Sequence, residues 1–301
     1  MQYPKHYTAS HKMEIRAQKL KAIIEWSEKN EDVRALLLTS SLVNPSAPVD
    51  EFSDLDIEFI FKSNVSYVSN KNWTLDFGNP IAMIEEDESC FDNKHAMKMV
   101  LYDDGVKVDF KLYSISKFIE ETQQKELPED WDIGYKILLD KDGVTKKMLK
   151  PTYQVSIINR PSEKEFKVIL NDFWWDTTYV AKCLAREDIF YAKFMSETII
   201  RTEYLIPLIE WYISSEHNWN ITTNKYGRLF KKYLTSEIWA KIEETFSGSN
   251  LGDNWKALLA MADLVSQIGT DLSKKLGYPY PDKLEKDIRK YLAGIKTKCQ
   301  L

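Results

Sequence analysis

The sequence is poor in cysteine, glycine and proline, and each shortage excludes a class of protein. Three cysteines in 301 residues are too few and too far apart for a disulfide framework, so we expect a reducing compartment and a cytoplasmic protein. Ten glycines and ten prolines, beside 44% apolar and 29% charged residues, exclude collagen-like and disordered chains. The length suffices for two domains. The cysteines are Cys90, Cys183 and Cys299.

Long apolar runs and an excess of basic charge are missing as well. The chain has no run of about 20 apolar residues, and its first seven residues lack the apolar core of a signal peptide, so we expect no membrane partner. The formal net charge is −5, from 46 acidic and 41 basic side chains, which is the wrong sign for binding phosphate backbones. We therefore expect no nucleic acid partner.

Several short motifs that identify common enzyme classes are absent. The sequence contains no GxGxxG, no P-loop and no GxSxG pattern, which argues against Rossmann cofactors, P-loop nucleotide binding and α/β-hydrolase chemistry. It also contains no HExxH and no CxxC, so a zinc site would need scattered ligands. Any catalytic group must therefore be sought elsewhere, among the acidic residues.

Charge and periodicity divide the chain into two halves. Residues 1–150 carry 27 acidic and 20 basic side chains, whereas residues 151–301 carry 19 and 21. The first half mixes the periods of strands and helices, and the second is almost wholly helical. The sequence therefore predicts an α+β protein: a mixed sheet with helices over 1–150, then an all-helical bundle over 151–301, with the boundary at Lys150-Pro151.

In the first half we predict one helix followed by a small mixed sheet. An apolar stripe predicts a helix over 11–30, and alternation or short apolar runs predict five strands, over 33–39, 55–61, 79–84, 97–102 and 107–113. The last two strands form a hairpin. In the second half, a capping box at Ser162 begins a long helix, Pro207 kinks a helix over 189–213, and another helix covers 255–276.

Two acids that lie two residues apart begin the most informative strand. In Asp54-Leu55-Asp56 both carboxylates project from one face, where their repulsion calls for a cation such as Mg²⁺. Asp109 is a third carboxylate, on the face of its strand opposite Val108 and Phe110, where a neighbouring strand's pair could meet it. An isolated Asp-x-Asp is also common in solvent or at a turn.

Three carboxylates on adjacent strands suit phosphoryl or nucleotidyl transfer, in which metal ions neutralise the triphosphate and hold the attacking and leaving oxygens. The Ser40-Ser41 turn directly after the strand over 33–39 favours this interpretation. Backbone N–H groups at such a turn of small residues can hold a terminal phosphate.

Five segments together resemble the aminoglycoside nucleotidyltransferases, and most closely the aminoglycoside 6-adenylyltransferases, also called streptomycin adenylyltransferases. The resemblance covers most of the chain. Its segments are the Ser40-Ser41 turn with Asn44-Pro45, the Asp54-Leu55-Asp56 pair, Asp-Gly-Val-Lys-Val-Asp at 104–109, Leu-Leu-Asp-Lys-Asp at 138–142, and the run from Asn171-Asp172-Phe173-Trp174-Trp175 through Tyr179 and Lys182 to Arg186.

The resemblance implies a polymerase β-like nucleotidyltransferase domain over 1–150 and a helical substrate- and nucleotide-binding domain over 151–301. The implied reaction is Mg-dependent transfer of AMP from ATP to a hydroxyl of an aminoglycoside such as streptomycin, with release of pyrophosphate, which inactivates the antibiotic. One or two Mg²⁺ ions are implied. Asp54 and Asp56 carry over as metal ligands, and Asp109 as a further ligand or as the base. We expect a monomer or a homodimer.

The phosphate turn departs from the family pattern. Where the family has Gly-Ser-Arg-Ala-Asn-Pro, this chain has Ser40-Ser41-Leu42-Val43-Asn44-Pro45. Glycine allows close approach to a phosphate and arginine offers a planar fork of donors, so their loss should weaken or reshape triphosphate binding. Ser40 still supplies an N–H and a hydroxyl, so Ser40, Ser41 and Asn44 remain the candidate nucleotide-binding residues of the turn.

The helical half offers further candidates. Lys182 and Arg186 share a helix face and could hold a phosphate tail, or they could lie on the solvated face. The remaining candidates are acids that could attract a cationic aminoglycoside and aromatic rings that could stack on a ring of the substrate, although acids commonly line solvated faces and aromatics commonly pack in a core. They are Asp172 and Asp176, with Trp174 and Tyr179.

The altered turn leaves two other functions open. The chain could be a nucleotidyltransferase that modifies another small molecule or a protein acceptor, or it could be a catalytically weakened binding protein with the same fold. A pure binding protein has no need for three clustered acids, which favours an enzyme.

Overall fold

The computed structural model describes residues 9–298, so the amino-terminal residues and Cys299 lie outside the described part of the chain. Contacts form two compact units, Met1–Val155 and Ser156–Leu301. The first contains a sheet with helices and the second is helical, as expected for the α+β class.

One mixed sheet of six strands dominates the first unit. The strands lie in the order β3-β4-β5-β2-β1-β6, in which β2 and β5 are parallel and all other neighbours are antiparallel. The predicted mixed sheet and the β4–β5 hairpin are confirmed, whereas β6 was not predicted. The strands are β1 (Val33–Thr39), β2 (Leu55–Phe61), β3 (Pro80–Glu86), β4 (Ala96–Tyr102), β5 (Lys107–Ser114) and β6 (Tyr135–Asp140).

Four helices accompany the sheet within the described part of this unit, which begins at Ala9. The first covers the helix predicted at the start of the chain, and the others are short. They are α1 (Ala9–Lys29), α2 (Val65–Ser69), α3 (Ile115–Thr122) and α4 (Glu129–Asp132), with additional 3-10 turns at Ser40–Leu42, Asn72–Phe77 and Glu88–Phe91.

Apolar side chains cover both faces of the sheet. On one face, the odd-numbered residues of β2 pack with Ile23 of α1 in the larger core. On the other face, Ile60 of β2 and Tyr113 of β5 pack against Phe118 of α3 and Trp131 of α4. This second layer stops short of the beginning of β2, so the acidic residues there lie beside apolar structure and yet keep access to solvent.

The second unit consists of helices around one apolar core. The capping box predicted at Ser162 is present: its hydroxyl accepts from Glu165 N at 3.3 Å, and the Glu165 carboxylate accepts from Ser162 N at 2.7 Å. The helices are α5 (Glu163–Ala185), α6 (Ile189–Lys193), a π-helix (Phe194–Leu205), α7 (Ile206–Glu216), α8 (Phe230–Tyr233), α9 (Ser236–Glu243), α10 (Leu251–Leu276) and α11 (Asp282–Lys298).

The helical run around Pro207 has an unusual backbone. It continues from Ile189 to Glu216, with a π-helix directly before α7, and Pro207 is the second residue of α7. Because proline has no N–H to bond to a preceding carbonyl, a change of hydrogen-bond spacing at this point is physically reasonable.

Within residues 9–298, none of the helices has both the length and the apolar character needed to cross a bilayer.

Candidate active site

Strand register brings the three predicted carboxylates together. Asp56 on β2 is the direct partner of Asp109 on β5 in the parallel ladder. Asp54 lies just before β2, and it shares the ammonium group of Lys107 with Asp109. We call Asp54, Asp56 and Asp109 the acid cluster. The apolar residues of β5 point to the opposite face, where they form part of the larger core.

Lys107 is the one cation in direct contact with this cluster among the ion pairs of residues 9–298. Its Nζ donates to Asp109 Oδ2 at 2.9 Å and to Asp54 Oδ2 at 3.2 Å. No role for Lys107 was predicted from the sequence. The signal was nevertheless present, because Lys107 lies two residues before Asp109 and strand geometry directs both side chains to one face.

The electrostatic environment disfavours a charged Asp56. Burial, followed by the negative charges of Asp109 and Asp54, raises the pKa of Asp56 to about 6. A hydrogen bond from the Ser40 side chain and the charge of Lys107 act in the opposite direction. The acid cluster therefore carries excess negative charge that an added cation would relieve.

Basic residues of α1 fix the loop and turn that flank the cluster. Arg16 donates from Nη1 to the carbonyl oxygens of Asp50 and Ser53, both at 2.7 Å, which holds the loop before Asp54. Lys19 is buried and pairs with Asp104 at 2.9 Å in the β4–β5 turn, just before Lys107. Both cations therefore belong to the buried side of α1, where the sequence suggested only an apolar stripe.

The Ser40 turn follows β1 and lies next to the cluster. Ser40 has a φ of 63°, in the left-handed region that favours glycine and costs other residues about 1 kcal/mol or more. This conformation gives a physical reason why a glycine suits the position in the family pattern. Asn44 Oδ1 accepts from Ser46 N at 2.8 Å, so the Asn44 side chain also shapes the loop. Ser40, Ser41 and Asn44 are all partly exposed.

The three residues of the acid cluster carry carboxylate oxygens, which are the donor atoms that a hard divalent metal prefers. Asp109 Oδ1 is buried and has no hydrogen-bond partner, and all three groups supply the oxygen ligands that Mg²⁺ prefers. In the geometry described for residues 9–298, no group of three or more His, Cys, Asp or Glu side chains is already arranged around a metal position. Lys107 bridges two of the three acids instead, so a shared metal would require a local rearrangement.

A second ion network lies farther along the same strands. Glu58 of β2 is fully buried and is the ladder partner of Lys111 on β5. Trp131 Nε1 donates to Glu58 Oε2 at 2.7 Å, and Lys111 Nζ lies 3.4 Å from Glu58 Oε1 and also pairs with Asp130. Burial raises the pKa of Glu58, although Lys111 and Trp131 act against that rise. The alternation of β2 predicted a polar face here, not a buried carboxylate.

The candidates in the helical unit are spread over exposed and buried positions of α5. Asp172 is exposed, and Asp176 is partly buried and accepts from Tyr204 Oη at 2.9 Å. Burial, with a smaller contribution from Asp172, raises the pKa of Asp176. Trp174 is fully buried in the helical core, so the expected substrate contact by its ring is corrected to a packing role.

The two basic candidates and Tyr179 lie nearer the end of the same helix. Lys182 Nζ lies 4.3 Å from the centre of the Tyr179 ring, which is a cation–π contact. Arg186 is exposed and ends α5. Lys182 and Arg186 are four residues apart and share a helix face, as the sequence indicates.

The raised pKa of Asp56 predicts an unusual pH dependence of stability. Because this pKa is about 6 in the folded protein against an ordinary 3.8, the folded state binds more protons between these values, and the free energy of unfolding falls as pH rises through them. We expect Asp56→Asn to unfold with a free energy roughly 2–3 kcal/mol higher than wild type at pH 8 without metal. Urea titrations at pH 4 and pH 8 measure this gain.

The matched control is Asp103→Asn, which changes an exposed carboxylate in the β4–β5 turn. It should leave the free energy of unfolding within about 0.5 kcal/mol at both pH values. The gain from Asp56→Asn should shrink toward pH 4, and a gain that is equal at both pH values would contradict the assigned cause.

Comparison with known proteins places the chain in a family. The family model for streptomycin adenylyltransferase matches residues 13–295. The chain is 29%, 28% and 27% identical to aminoglycoside 6-adenylyltransferases of Bacillus subtilis (strain 168), Campylobacter jejuni and Staphylococcus aureus, respectively. These matches cover 90%, 92% and 91% of this chain, and 94%, 94% and 95% of those proteins.

A solved structure is also similar to this chain. The crystal structure of an aminoglycoside 6-adenyltransferase from Bacillus subtilis shares 26% identity with a TM-score of 0.45, and the match covers 93% of this chain and 98% of that one. The family model covers most of the chain. The chain therefore belongs to the streptomycin adenylyltransferase family, a family of nucleotidyltransferases, as the sequence resemblance predicted.

Proposed function

We propose that the protein transfers AMP from Mg-ATP to a hydroxyl group of an aminoglycoside such as streptomycin and releases pyrophosphate. The observation that carries this proposal is the parallel register of β2 and β5, in which Asp56 and Asp109 are direct partners and Asp54 lies two residues away. Family membership supports the same reaction class. The curated relatives are named for adenylyl transfer to aminoglycosides.

In this proposal, Asp54 and Asp56 would hold Mg²⁺, with Asp109 as a further ligand or as the base, and the bound ion would neutralise charge that develops on the α-phosphate and the leaving pyrophosphate. The acceptor oxygen forms a bond to the α-phosphorus while the bond from that phosphorus to the bridging oxygen breaks. Pyrophosphate leaves with the electron pair of the broken bond. The proton of the acceptor hydroxyl passes to a carboxylate, for which Asp109 is the candidate base.

The Ser40 turn is the proposed site for the phosphates. Ser40 and Ser41 offer hydroxyls, and the first N–H groups of a helical turn have no partners within the turn, so both can donate to phosphate oxygens. Leu42 cannot replace the fork of donors that arginine provides in the family pattern. We therefore expect ATP to bind more weakly here than in a chain with arginine at that position.

The helical unit is proposed to bind the remaining parts of the substrates. Asp172 and Asp176 carry charge of the right sign for a cationic aminoglycoside, and Tyr179 offers a partly exposed ring. Lys182 and Arg186 are candidates for the phosphate tail of the nucleotide. Trp174 leaves this list because its ring lies in the core.

Pyrophosphate release, measured with each of the four nucleoside triphosphates against a panel of aminoglycosides, tests the proposal. We expect release with ATP and Mg²⁺ that requires an aminoglycoside, together with an acceptor whose mass has increased by one AMP. Chelation of the metal with EDTA should abolish the release, because the acid cluster would then lack the cation that neutralises the triphosphate. Release without an acceptor would contradict the aminoglycoside assignment.

The altered turn favours one alternative for direct comparison. Leu42 in place of arginine and Ser40 in place of glycine change the phosphate site relative to the family pattern, which would suit a different acceptor, including a protein side chain. Mass spectrometry of the purified protein after incubation with ATP distinguishes the two acceptors. Self-modification by AMP would favour the alternative, and a modified aminoglycoside would favour the main proposal.

A further inference from the structure

An ammonium group occupies part of the acid cluster. Lys107 Nζ donates to Asp109 Oδ2 at 2.9 Å and to Asp54 Oδ2 at 3.2 Å. These two ion pairs join the ammonium to carboxylates of two different segments, the loop before β2 and strand β5. Lys107 therefore satisfies two of the three carboxylates that the proposed reaction assigns to the metal.

The lysine and a divalent metal compete for the same oxygens. A metal ligated by Asp54 and Asp109 would lie about 2.1 Å from their carboxylate oxygens, within a few ångströms of an ammonium that contacts those oxygens. Two cations at that separation repel each other strongly where water is partly excluded. This contact also explains why the described cluster lacks a ready metal geometry although its donor atoms suit Mg²⁺.

The side chain of Lys107 has space to move away from the acid cluster. Its side chain is 39% exposed, and it borders a cavity of about 260 Å³ that is also lined by Lys12, Phe52 and Gly105. The residue lies at the first position of β5, next to the turn rather than in the apolar core. A change of side-chain rotamer could therefore release the ammonium without disturbing the strand.

We propose that Lys107 is an internal counter-ion that competes with the divalent metal for Asp54 and Asp109, and that metal binding displaces its ammonium into the adjoining cavity. This inference rests on the proposed function, because that function assigns the acid cluster to the metal. Lys107 acts through the carboxylates and is thus a positioning residue. In the metal-free protein it keeps the repelling acids together.

Calorimetric titration with Mn²⁺ alone, without nucleotide, tests the inference on the full chain. We expect Lys107→Met to bind Mn²⁺ about tenfold more tightly than wild type, because the competing charge has gone. Lys107→Arg, which keeps the charge and the donors, should bind Mn²⁺ about as wild type does. Lys12→Met is the matched control, since it removes a lysine charge from the same cavity. The Nζ of Lys12 lies over the Phe52 ring, 4.5 Å from its centre, and not on the carboxylates that Lys107 contacts.

Two outcomes would overturn the inference. One is a Lys107→Met protein with native circular dichroism that binds Mn²⁺ no more tightly than wild type. The other is an equal gain in Mn²⁺ affinity in Lys12→Met, which would reflect the overall electrostatic field of the cavity and not the contact of Lys107 with the acids. AMP transfer by wild type is measured separately, so a failure of the competition between Lys107 and metal is distinguishable from a failure of the proposed function.

Discussion

Asp109→Asn is expected to lower the rate of AMP transfer about 10³-fold, whichever of its two proposed roles the carboxylate has. As a metal ligand, Asp109 helps to supply several kcal/mol of charge stabilisation in the transition state, and each 1.4 kcal/mol is about tenfold in rate. As a general base, it contributes about 10²–10⁴-fold. Its position as the ladder partner of Asp56 makes it the acid whose removal most directly tests the cluster.

The measurement is the initial rate of pyrophosphate release with ATP, Mg²⁺ and the preferred aminoglycoside. Asp103→Asn serves as the control because it removes an exposed acid from the adjacent turn and should keep near-wild-type rates. Calorimetry with Mn²⁺ separates the two roles: weaker metal binding identifies a ligand, and unchanged binding with a lower kcat identifies the base. Near-wild-type turnover by a folded Asp109→Asn protein would remove Asp109 from the mechanism.

The central strands could be predicted because their sequence pattern and their environment agree. In β2, residues 55, 57, 59 and 61 alternate with Asp56, Glu58 and Ile60, and the same odd-numbered residues enter the larger core. A core on one face fixes the register, since a slip by one residue would bury the acids. The same argument predicted that Asp109 would lie opposite the apolar residues of β5.

Strand β6 could not be predicted in this way. It is an edge strand whose adjacent Lys136 and Ile137 are both exposed, so no alternation marks it. It is held by backbone pairing with β1, which requires no side-chain pattern of its own. Its identity depends on a partner about 100 residues earlier in the chain.

Contacts between charged side chains on distant segments could not be predicted from the sequence either. The approach of Lys107 to Asp54 depends on the pairing of β2 and β5, which a single sequence does not reveal. Trp174 is different, because its burial could have been anticipated from Phe166, Leu170 and Phe173, which share its helical stripe. The aromatic chemistry of tryptophan suggested a binding role, and the periodicity of the helix gave the better prediction.

The buried Glu58 could be predicted as a member of the acid-bearing face of β2, but not as a buried group. It alternates with the apolar residues just as Asp56 does, yet Trp131 of α4 and Lys111 of β5 enclose it. The covering helix lies about 70 residues farther along the chain, so local sequence gives no sign of it. Burial of this carboxylate makes its single close cation important for stability.

Lys111→Met is expected to lower the free energy of unfolding by about 3–5 kcal/mol at pH 8, because it leaves the fully buried Glu58 without its cation. Burial already raises the pKa of Glu58, and loss of Lys111 raises it further. The folded variant therefore gains a proton on Glu58 as pH falls, and the loss of stability should shrink toward pH 5. Urea unfolding at pH 5 and pH 8 measures both effects.

Two further variants show that the loss comes from the unpaired carboxylate and not from the missing lysine stem. Glu58→Gln combined with Lys111→Met removes both charges and should recover much of the stability at pH 8, since a neutral amide can keep the hydrogen bond from Trp131. Lys117→Met, in the exposed pair with Glu120, should cost less than about 1 kcal/mol. A loss that is equal at both pH values and is not relieved by Glu58→Gln would instead assign Lys111 a packing role.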